Sequence, residues 1–461
     1  MTAAHFLSPT LDRWTALARK ALKDAPLEGL SRTDGDGLEI APLYADDDAP
    51  VLSAPRPNRV EGRAWDLRVL VEAEAPVQTN AAILDELNGG AASAVLTGAA
   101  LVDPDVLSRA LEGVALELAP IGLDAGIEGA AAAGALAVAA KGSPRARLML
   151  HLDPVSAFAR DGGAPRAIET EVAQAAATAA RHAQPYPAAT LFLASGRAAH
   201  EAGGTIGQEL GFALASAAAW LRAGTQAGLS VERTLTGTVL GLSVDAEYLD
   251  GVAKLRAARL MWRSFARAAG AETAAIIEAR SSGRMLGARD PWPNLLRLTA
   301  AGFAGAVGGA DAVILDGFTA ARGVPDAFAR RLARNTQLVL MQEAHLGRVD
   351  DPAAGSWFLD ARTRDLAQAG WAEFQRIETE GGLVAALKAG TIQSRVAQAR
   401  SARETTYAQG GGVLIGVNRF VDPEPRPAAA APRQAAAPTH ADVCDPLAPV
   451  RWAEAFEEAG A

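Results

Sequence analysis

The feature that most limits the fold of this chain is a repeated alternation between short apolar runs and longer helical stretches. Between about residues 60 and 395, seven runs of strand-like length are separated by segments rich in Ala and Leu. The runs lie near residues 94, 116, 150, 193, 239, 276 and 314. Such alternation is typical of a parallel sheet whose strands are joined by crossover helices. The sequence therefore predicts an α/β fold. It favours a (β/α)8 barrel, with the eighth strand not evident, over an open doubly wound sheet.

The same change of pattern predicts three segments. Residues 1–60 form a predicted N-terminal arm, because a helical spacing of apolar residues gives way to a proline-rich extended part. Residues 61–395 form the predicted barrel. Residues 396–461 are predicted to be a linker and a tail, because 423–440 is rich in Pro and Ala. The tail is too short for another domain, and we expect it to dock as a short helix or on a partner.

Composition excludes several classes of function. The net charge of −9 over 461 residues makes a nucleic-acid partner unexpected. A single cysteine, Cys444, rules out an internal disulfide and a cysteine-based zinc site. The six histidines are far apart in sequence, so no metal site is expected. The most apolar stretch, 127–140, is too short to cross a bilayer, and no signal peptide is evident, so a cytoplasmic location is expected.

Two groups of polar residues follow strand-like runs, where the working face of either fold would lie. His200 follows the run near 193 and could act as a general acid or simply orient its loop. Arg280 and Arg284 follow the run near 276. They could hold a carboxylate or phosphate, or they could brace the rim through ion pairs. The residues alone leave these alternatives open.

Several longer motifs resemble the methylmalonyl-CoA mutase family, and in particular its small subunits. The matching segments are spread from about residue 10 to 420, and the run from 252 to 382 is the most specific. They include AWDLR (64–68), SGRAAHEAGGTIGQELGFALA (195–215), VAKLRAARLMW (252–262), ARSSGRMLGARDPWPNLLR (279–297) and IGVNRF (415–420). The resemblance implies a (β/α)8 barrel that holds an acyl-CoA in catalytic relatives. It also implies adenosylcobalamin presented over the barrel mouth by a separate C-terminal domain, as the source of a radical.

The sequence departs from the pattern of the catalytic relatives, SGYHxxEAGAT, after the run near 193. Their aromatic residue becomes Arg197, and their substrate-touching histidine becomes Ala198. His200 is displaced by two positions, so it cannot inherit that role. No catalytic residue is therefore expected. If the chain does have one, His200 is the candidate.

Three further positions correspond to the substrate pocket. The histidine and glutamine of the motif RxHxQTSG fall on Glu278 and Arg280. The segment HLDPVS, with Asp153, replaces the GTIQND segment of the catalytic relatives. Because buried charges are costly unless paired, we expect Glu278 to pair with an arginine and to fill part of the space of an acyl-CoA.

The cobalamin motif DxHxxG occurs nowhere in the sequence. We therefore expect this chain alone to bind no adenosylcobalamin, which a catalytic large subunit would carry in a heterodimer that also binds acyl-CoA. Two alternatives remain open. One is the catalytic half of a split acyl-CoA mutase with a separate cobalamin-binding chain. The other is a non-enzymatic acyl-CoA-binding or assembly factor.

Overall fold

Eight parallel strands close into a barrel, which confirms the predicted (β/α)8 fold. The computed structural model describes residues 10–432 and 440–459, except residues 24, 46–53, 55, 58–62 and 74. The barrel strands are β1 (Asp66–Glu72), β2 (Ser93–Thr97), β3 (Ile121–Asp124), β4 (Leu148–Leu152), β5 (Thr190–Ser195), β6 (Thr238–Val244), β7 (Ile276–Ser281) and β8 (Ala312–Ile314). Each strand pairs with the next one along the chain, and β8 pairs with β1 to close the ring.

Helices surround the barrel and extend beyond it. They are α1 (Leu11–Ala21), α2 (Pro76–Asn88), α3 (Pro104–Ala110), α4 (Gly129–Ala139), α5 (Pro154–Asp161), α6 (Ile168–Ala183), α7 (Arg197–Glu201), α8 (Ile206–Gln226), α9 (Val231–Thr236), α10 (Tyr248–Ala268), α11 (Asn294–Val307), α12 (Ala327–Leu338), α13 (Trp357–Thr379), α14 (Leu383–Lys388), α15 (Thr391–Ala408) and α16 (Glu454–Ala459). A π-helical turn, Val339–Glu343, follows α12. Short 3-10 turns occur at Leu27–Leu30, Ala99–Val102, Gly126–Glu128, Gly283–Met285 and Ala320–Arg322. No helix among the described residues is long and apolar enough to cross a membrane.

Two of the strand predictions need correction. The run near 116 is not a strand: Leu116 is buried beneath the barrel from a turn, and the third strand starts only at Ile121. The strand that was not evident is β1. The other strands are marked by an apolar run, whereas in β1 the run is interrupted by charged residues: Asp66, Arg68 and Glu72.

The two faces of the strands bury different kinds of residue. The outward face packs on the helices, as where Phe192 of β5 stacks on Trp220 of α8 with ring centroids 4.7 Å apart. Inside the barrel, a small apolar cluster joins four strands. It consists of Leu70, Val95, Met149 and Ile314. Gly122 keeps this cluster compact, since a Cβ there would lie 3.0 Å from the Met149 Cε.

The arm and the tail both contact the barrel in the described structure. In the arm, Arg32–Thr33 pairs with Glu39–Ile40 as an antiparallel hairpin. In the tail, Asp442–Val443 pairs with Gly163–Ala164 after α5. Within the predicted linker, Ala430–Ala431 pairs with Val324–Pro325, while residues 433–439 lie outside the described residues. Helix α15 runs across the predicted boundary between residues 395 and 396, so no secondary-structure element ends there. The division into barrel and linker at that point stays a prediction.

Candidate functional site: the barrel lumen and its mouth

A salt bridge crosses the mouth of the barrel from one side to the other. Arg280 lies on β7 and Asp124 ends β3, which are four strands apart in both directions round the ring. The Arg280 Nη1 lies 3.2 Å from the Asp124 Oδ2, and its Nη2 lies 3.1 Å from the Oδ1 of Asp316 beyond β8. Burial alone would raise the pKa of Asp124, but Arg280 and other arginines outweigh it and lower that pKa. The lowered pKa favours the ionised Asp124 carboxylate, which faces the Arg280 cation across the lumen.

A second ion pair lies within the lumen and joins β1 to β7. Arg68 donates hydrogen bonds to Glu278 and, at 2.7 Å, to Asp66. Its Nε donates to the Ser93 Oγ at 3.0 Å. The Arg68 and Glu278 side chains are 9% and 8% exposed. Burial would raise the pKa of Glu278, but His151 and Arg68 outweigh it and lower that pKa. Glu278 thus has the arginine partner expected for it.

His151 lies among these charges in a strained backbone conformation. Its φ is 44°, a region that non-glycine residues rarely adopt. The pairing of β4 with β5 is irregular between Met149 and Leu152, which accommodates this kink. Its ring is buried, and Nε2 has no hydrogen-bond partner among the described residues. Burial lowers the pKa of His151 and favours the neutral ring.

Helix α7, at the C-terminal end of β5, carries the two substituted positions and directs them to different sides. Arg197 faces the lumen, where its nearest carboxylate is Glu201, 3.9 Å from its Nη2. Burial lowers the pKa of Arg197, and the neighbouring Arg280 adds to the effect. Ala198 instead belongs to the apolar cluster that includes Val155 and Phe158 of α5. The position of the substrate-touching histidine therefore carries no polar group.

His200 is locked into a buried ion cluster away from Arg280. Its Nδ1 lies 2.9 Å from Glu209, which also accepts a 2.6 Å hydrogen bond from Lys254. Burial, followed by the neighbouring Arg284, lowers the pKa of His200. Burial opposes ionisation of Glu209, but Lys254 and His200 outweigh it and hold its pKa far below the usual range. The geometry favours the orienting role for His200 over the general-acid role.

Asp153 follows β4 and caps the N-terminus of α5. Its Oδ1 accepts a 3.1 Å hydrogen bond from the Ser156 backbone N–H. Burial raises the pKa of Asp153 to about 7, against the lowering effect of Ser156. Burial therefore favours the protonated form of this carboxyl. Its contacts are structural, although it lies next to Asp124 at the mouth.

Arg284 braces the rim instead of facing the lumen. Its Nη1 donates to the carbonyls of His200 and Gly204 at 3.2 and 3.0 Å, and Nη2 pairs with Asp245 at 3.0 Å. The tail passes over the same rim, where the backbone N–H of Trp452 donates to the backbone carbonyl of Arg284 at 2.9 Å. The described residues include no cluster of three acidic, histidine or cysteine side chains able to hold a metal ion.

Comparison with known proteins shows the family of the chain. A family model described as methylmalonyl-CoA mutase matches residues 95–451. The chain belongs to the methylmalonyl-CoA mutase family. It is 38% identical to the methylmalonyl-CoA mutase small subunit of Streptomyces virginiae, over 99% of this chain and 76% of that protein. It is 36% identical to the probable small subunit of Mycobacterium bovis, over 87% and 68%. It is 30% identical to the small subunit of Propionibacterium freudenreichii subsp. shermanii, over 86% and 65%.

The structure brings together three of the five residues chosen from the family motifs. Arg197, Glu278 and Arg280 share the lumen, Asp153 borders it, and Ala198 faces away. Sequence reasoning missed the partners Arg68 and Asp124. Their only signal was a charged residue within or at the end of a mostly buried strand. An isolated charge in such a strand indicates a buried partner elsewhere, but it does not name that partner.

Proposed function

We propose that this chain is the small, non-catalytic subunit of a cytoplasmic, adenosylcobalamin-dependent methylmalonyl-CoA mutase. It would support a catalytic large subunit that isomerises methylmalonyl-CoA and succinyl-CoA. The observation that carries the proposal is the Arg280–Asp124 bridge across the barrel, with the Arg68–Glu278 pair within the lumen. An acyl-CoA threaded through this lumen would have to break both ion pairs and leave the buried charges of Arg68, Glu278 and Arg280 without these partners.

The histidines of the chain do not fit the role of an axial cobalamin ligand. No histidine stands in a DxHxxG motif, and His200 is hydrogen-bonded to Glu209 inside the protein. The tail also crosses loops at the C-terminal ends of the strands, with Val450 donating to the Glu201 carbonyl at 2.8 Å. These features support a corrinoid carried by the partner, so no chemical step is assigned to this chain.

The arm offers a surface for that partner. Helix α1 has no buried residue, although its apolar residues recur at helical spacing. Leu11 and Leu17 keep 54% and 59% of their surface exposed. Basic residues Arg19 and Lys20 occupy its last turn. A helix with an unburied apolar side gains stability by packing against another surface. We assign that surface to the large subunit.

The test is a turnover assay with methylmalonyl-CoA and adenosylcobalamin. We expect no turnover by this chain alone, and a stable heterodimer with the large subunit on size-exclusion chromatography. The double variant Leu11→Ser and Leu17→Ser should weaken that complex. Val138→Ser on α4, where the side chain is 56% exposed, is the matched control and should not. Turnover by this chain alone would overturn the proposal. Activity restored by a free cobalamin-binding chain would identify it as half of a split enzyme.

A further inference from the structure

A tight hairpin in the arm presents two carboxylates to the barrel. Its turn is built by Asp34, whose Oδ1 accepts from the backbone N–H groups of Asp36 and Leu38 at 2.9 and 2.8 Å. The Asp34 Oδ2 lies 2.5 Å from the Nη2 of Arg362 on α13. Arg362 is fully buried and also donates to Asp250 on α10 at 2.8 Å. The hairpin is therefore anchored by an ion pair to two helices behind the barrel.

The second carboxylate, Asp36, holds the start of helix α8. Both of its oxygens accept from the Gly207 backbone N–H, at 3.1 and 3.0 Å, and Oδ1 also accepts from the Thr205 hydroxyl. A Cβ on Gly207 would lie 2.6 Å from the Asp36 Oδ1, so the close approach requires glycine. The arm thus supplies an acceptor for a helix-terminal N–H group that α8 cannot satisfy internally.

Residues 196–205 form the loop that joins β5 to α8; it contains the short helix α7, from which Arg197 faces the lumen. Arg284 holds this loop from the mouth side through the Gly204 carbonyl. From the other side, Asp36 accepts hydrogen bonds from the Thr205 hydroxyl and the Gly207 backbone N–H. The loop is consequently held between the barrel rim and the arm.

We propose that the Asp34–Asp36 turn is a latch, which couples docking of the N-terminal arm to the order of the loop at residues 196–205. Displacement of the arm removes an acceptor from the N-terminus of α8 and frees the loop next to the lumen. By thermodynamic reciprocity, loosening the loop weakens docking of the arm. A protein bound to the arm would in this way change the barrel mouth. The inference concerns this chain alone and does not depend on the identity of any partner.

Hydrogen–deuterium exchange of the purified full-length chain tests the latch. In Asp36→Ala, backbone amides in residues 196–209 should exchange about tenfold faster than in the wild type, the scale of a lost helix-capping interaction. The same acceleration should appear in the hairpin at 32–40, while strand β5 keeps its protection. Glu39→Gln, an exposed acidic position of the same hairpin, is the matched control and should change neither segment.

A second variant perturbs the latch from the loop side. Thr205→Val removes the hydroxyl that donates to Asp36 and should accelerate exchange in the hairpin, which the substitution does not touch directly. If Asp36→Ala lowers the melting temperature too far for exchange measurements, Asp36→Asn keeps one acceptor and should give a smaller change in both segments. Faster exchange confined to the mutated segment, in either variant, would overturn the coupling and leave the hairpin as a local contact.

Discussion

The Arg280 guanidinium and the Asp124 carboxylate meet 3.2 Å apart although their strands lie on opposite sides of the barrel. The Arg280 side chain is 15% exposed and that of Asp124 is 36% exposed. A charged pair in this position spans the barrel mouth between opposite strands. Arg280 also pairs with Asp316 at 3.1 Å, so the three charges at the mouth depend on one another.

The first prediction concerns the stability that this pair supplies. Arg280→Leu leaves Asp124 without its partner in the lumen and should lower the free energy of unfolding by about 2–3 kcal/mol. This is less than for a fully buried pair, because Asp124 keeps part of its solvent contact. Urea denaturation measures the change. Arg267→Leu breaks an exposed pair with Glu272 and should cost less than about 1 kcal/mol. Equal losses in the two variants would contradict the role of the lumen pair.

The second prediction uses the raised pKa of Asp153. Burial favours the protonated carboxyl in the folded state, with a pKa of about 7. Its contribution to stability is complete below the unfolded pKa and is lost as the pH rises through about 7. Asp153→Asn keeps an acceptor for the Ser156 N–H but never ionises. The variant should therefore gain stability relative to the wild type between pH 5 and pH 8, by about 2–3 kcal/mol.

The matched control for Asp153 is Asp103, an N-cap on α3 that is exposed to solvent and accepts from Asp105 at 2.9 Å. Asp103→Asn makes the same substitution at a solvent-exposed cap, so thermal unfolding between pH 5 and pH 8 measures the effect of the substitution itself. A difference between Asp153→Asn and the wild type that stays constant over this range would show that the Asp153 carboxyl does not titrate there.

The third prediction concerns acid sensitivity from the buried cluster. The lowered pKa of His200 means that the unfolded chain binds a proton more readily, so its contribution to stability is lost as the pH falls below about 6.5. His200→Gln keeps a donor for Glu209 but does not titrate. Between pH 7.5 and 5.5 its stability should fall less steeply than that of the wild type. His345→Asn removes a histidine at an exposed position with a φ of 57°, outside the buried cluster, and is the matched substitution measured over the same pH range. Parallel slopes for the wild type and His200→Gln would contradict the prediction.

The barrel could be predicted from the sequence because its strands bury apolar side chains on both faces and alternate with helices. Strands that break this rule cannot be predicted in the same way. In β1, Asp66 and Arg68 point into a polar lumen, so the strand lacks a continuous apolar run. Near residue 116, the apolar run includes Leu116, which is buried from a turn. The local sequence does not distinguish a buried turn residue from a buried strand residue.

The lumen was predictable by residue type but not by pairing. The charges at Glu278 and Arg280 were visible as departures from the catalytic motifs, and each needed a counter-charge. Their partners, Arg68 and Asp124, lie 210 and 156 residues away along the chain. Only closure of the ring brings them together. The latch at Asp36 was invisible for the same reason, because its partner Gly207 is 171 residues distant.

The last prediction tests whether the tail docks on its own barrel, using Cys444. Its backbone N–H donates to the Gly162 carbonyl at 3.0 Å, and its Sγ lies 3.5 Å from the Phe158 carbonyl. Burial, together with Asp445 and Asp442, raises the pKa of the thiol to about 11. Because the thiolate is the reactive form, iodoacetamide at pH 8 should modify Cys444 about 100-fold more slowly than a free cysteine. Ala441→Cys in a Cys444→Ser background places a thiol at an exposed position three residues away and is the control, which should react at the free rate. Mass spectrometry follows both reactions, and equal rates would mean that the tail leaves the barrel in solution.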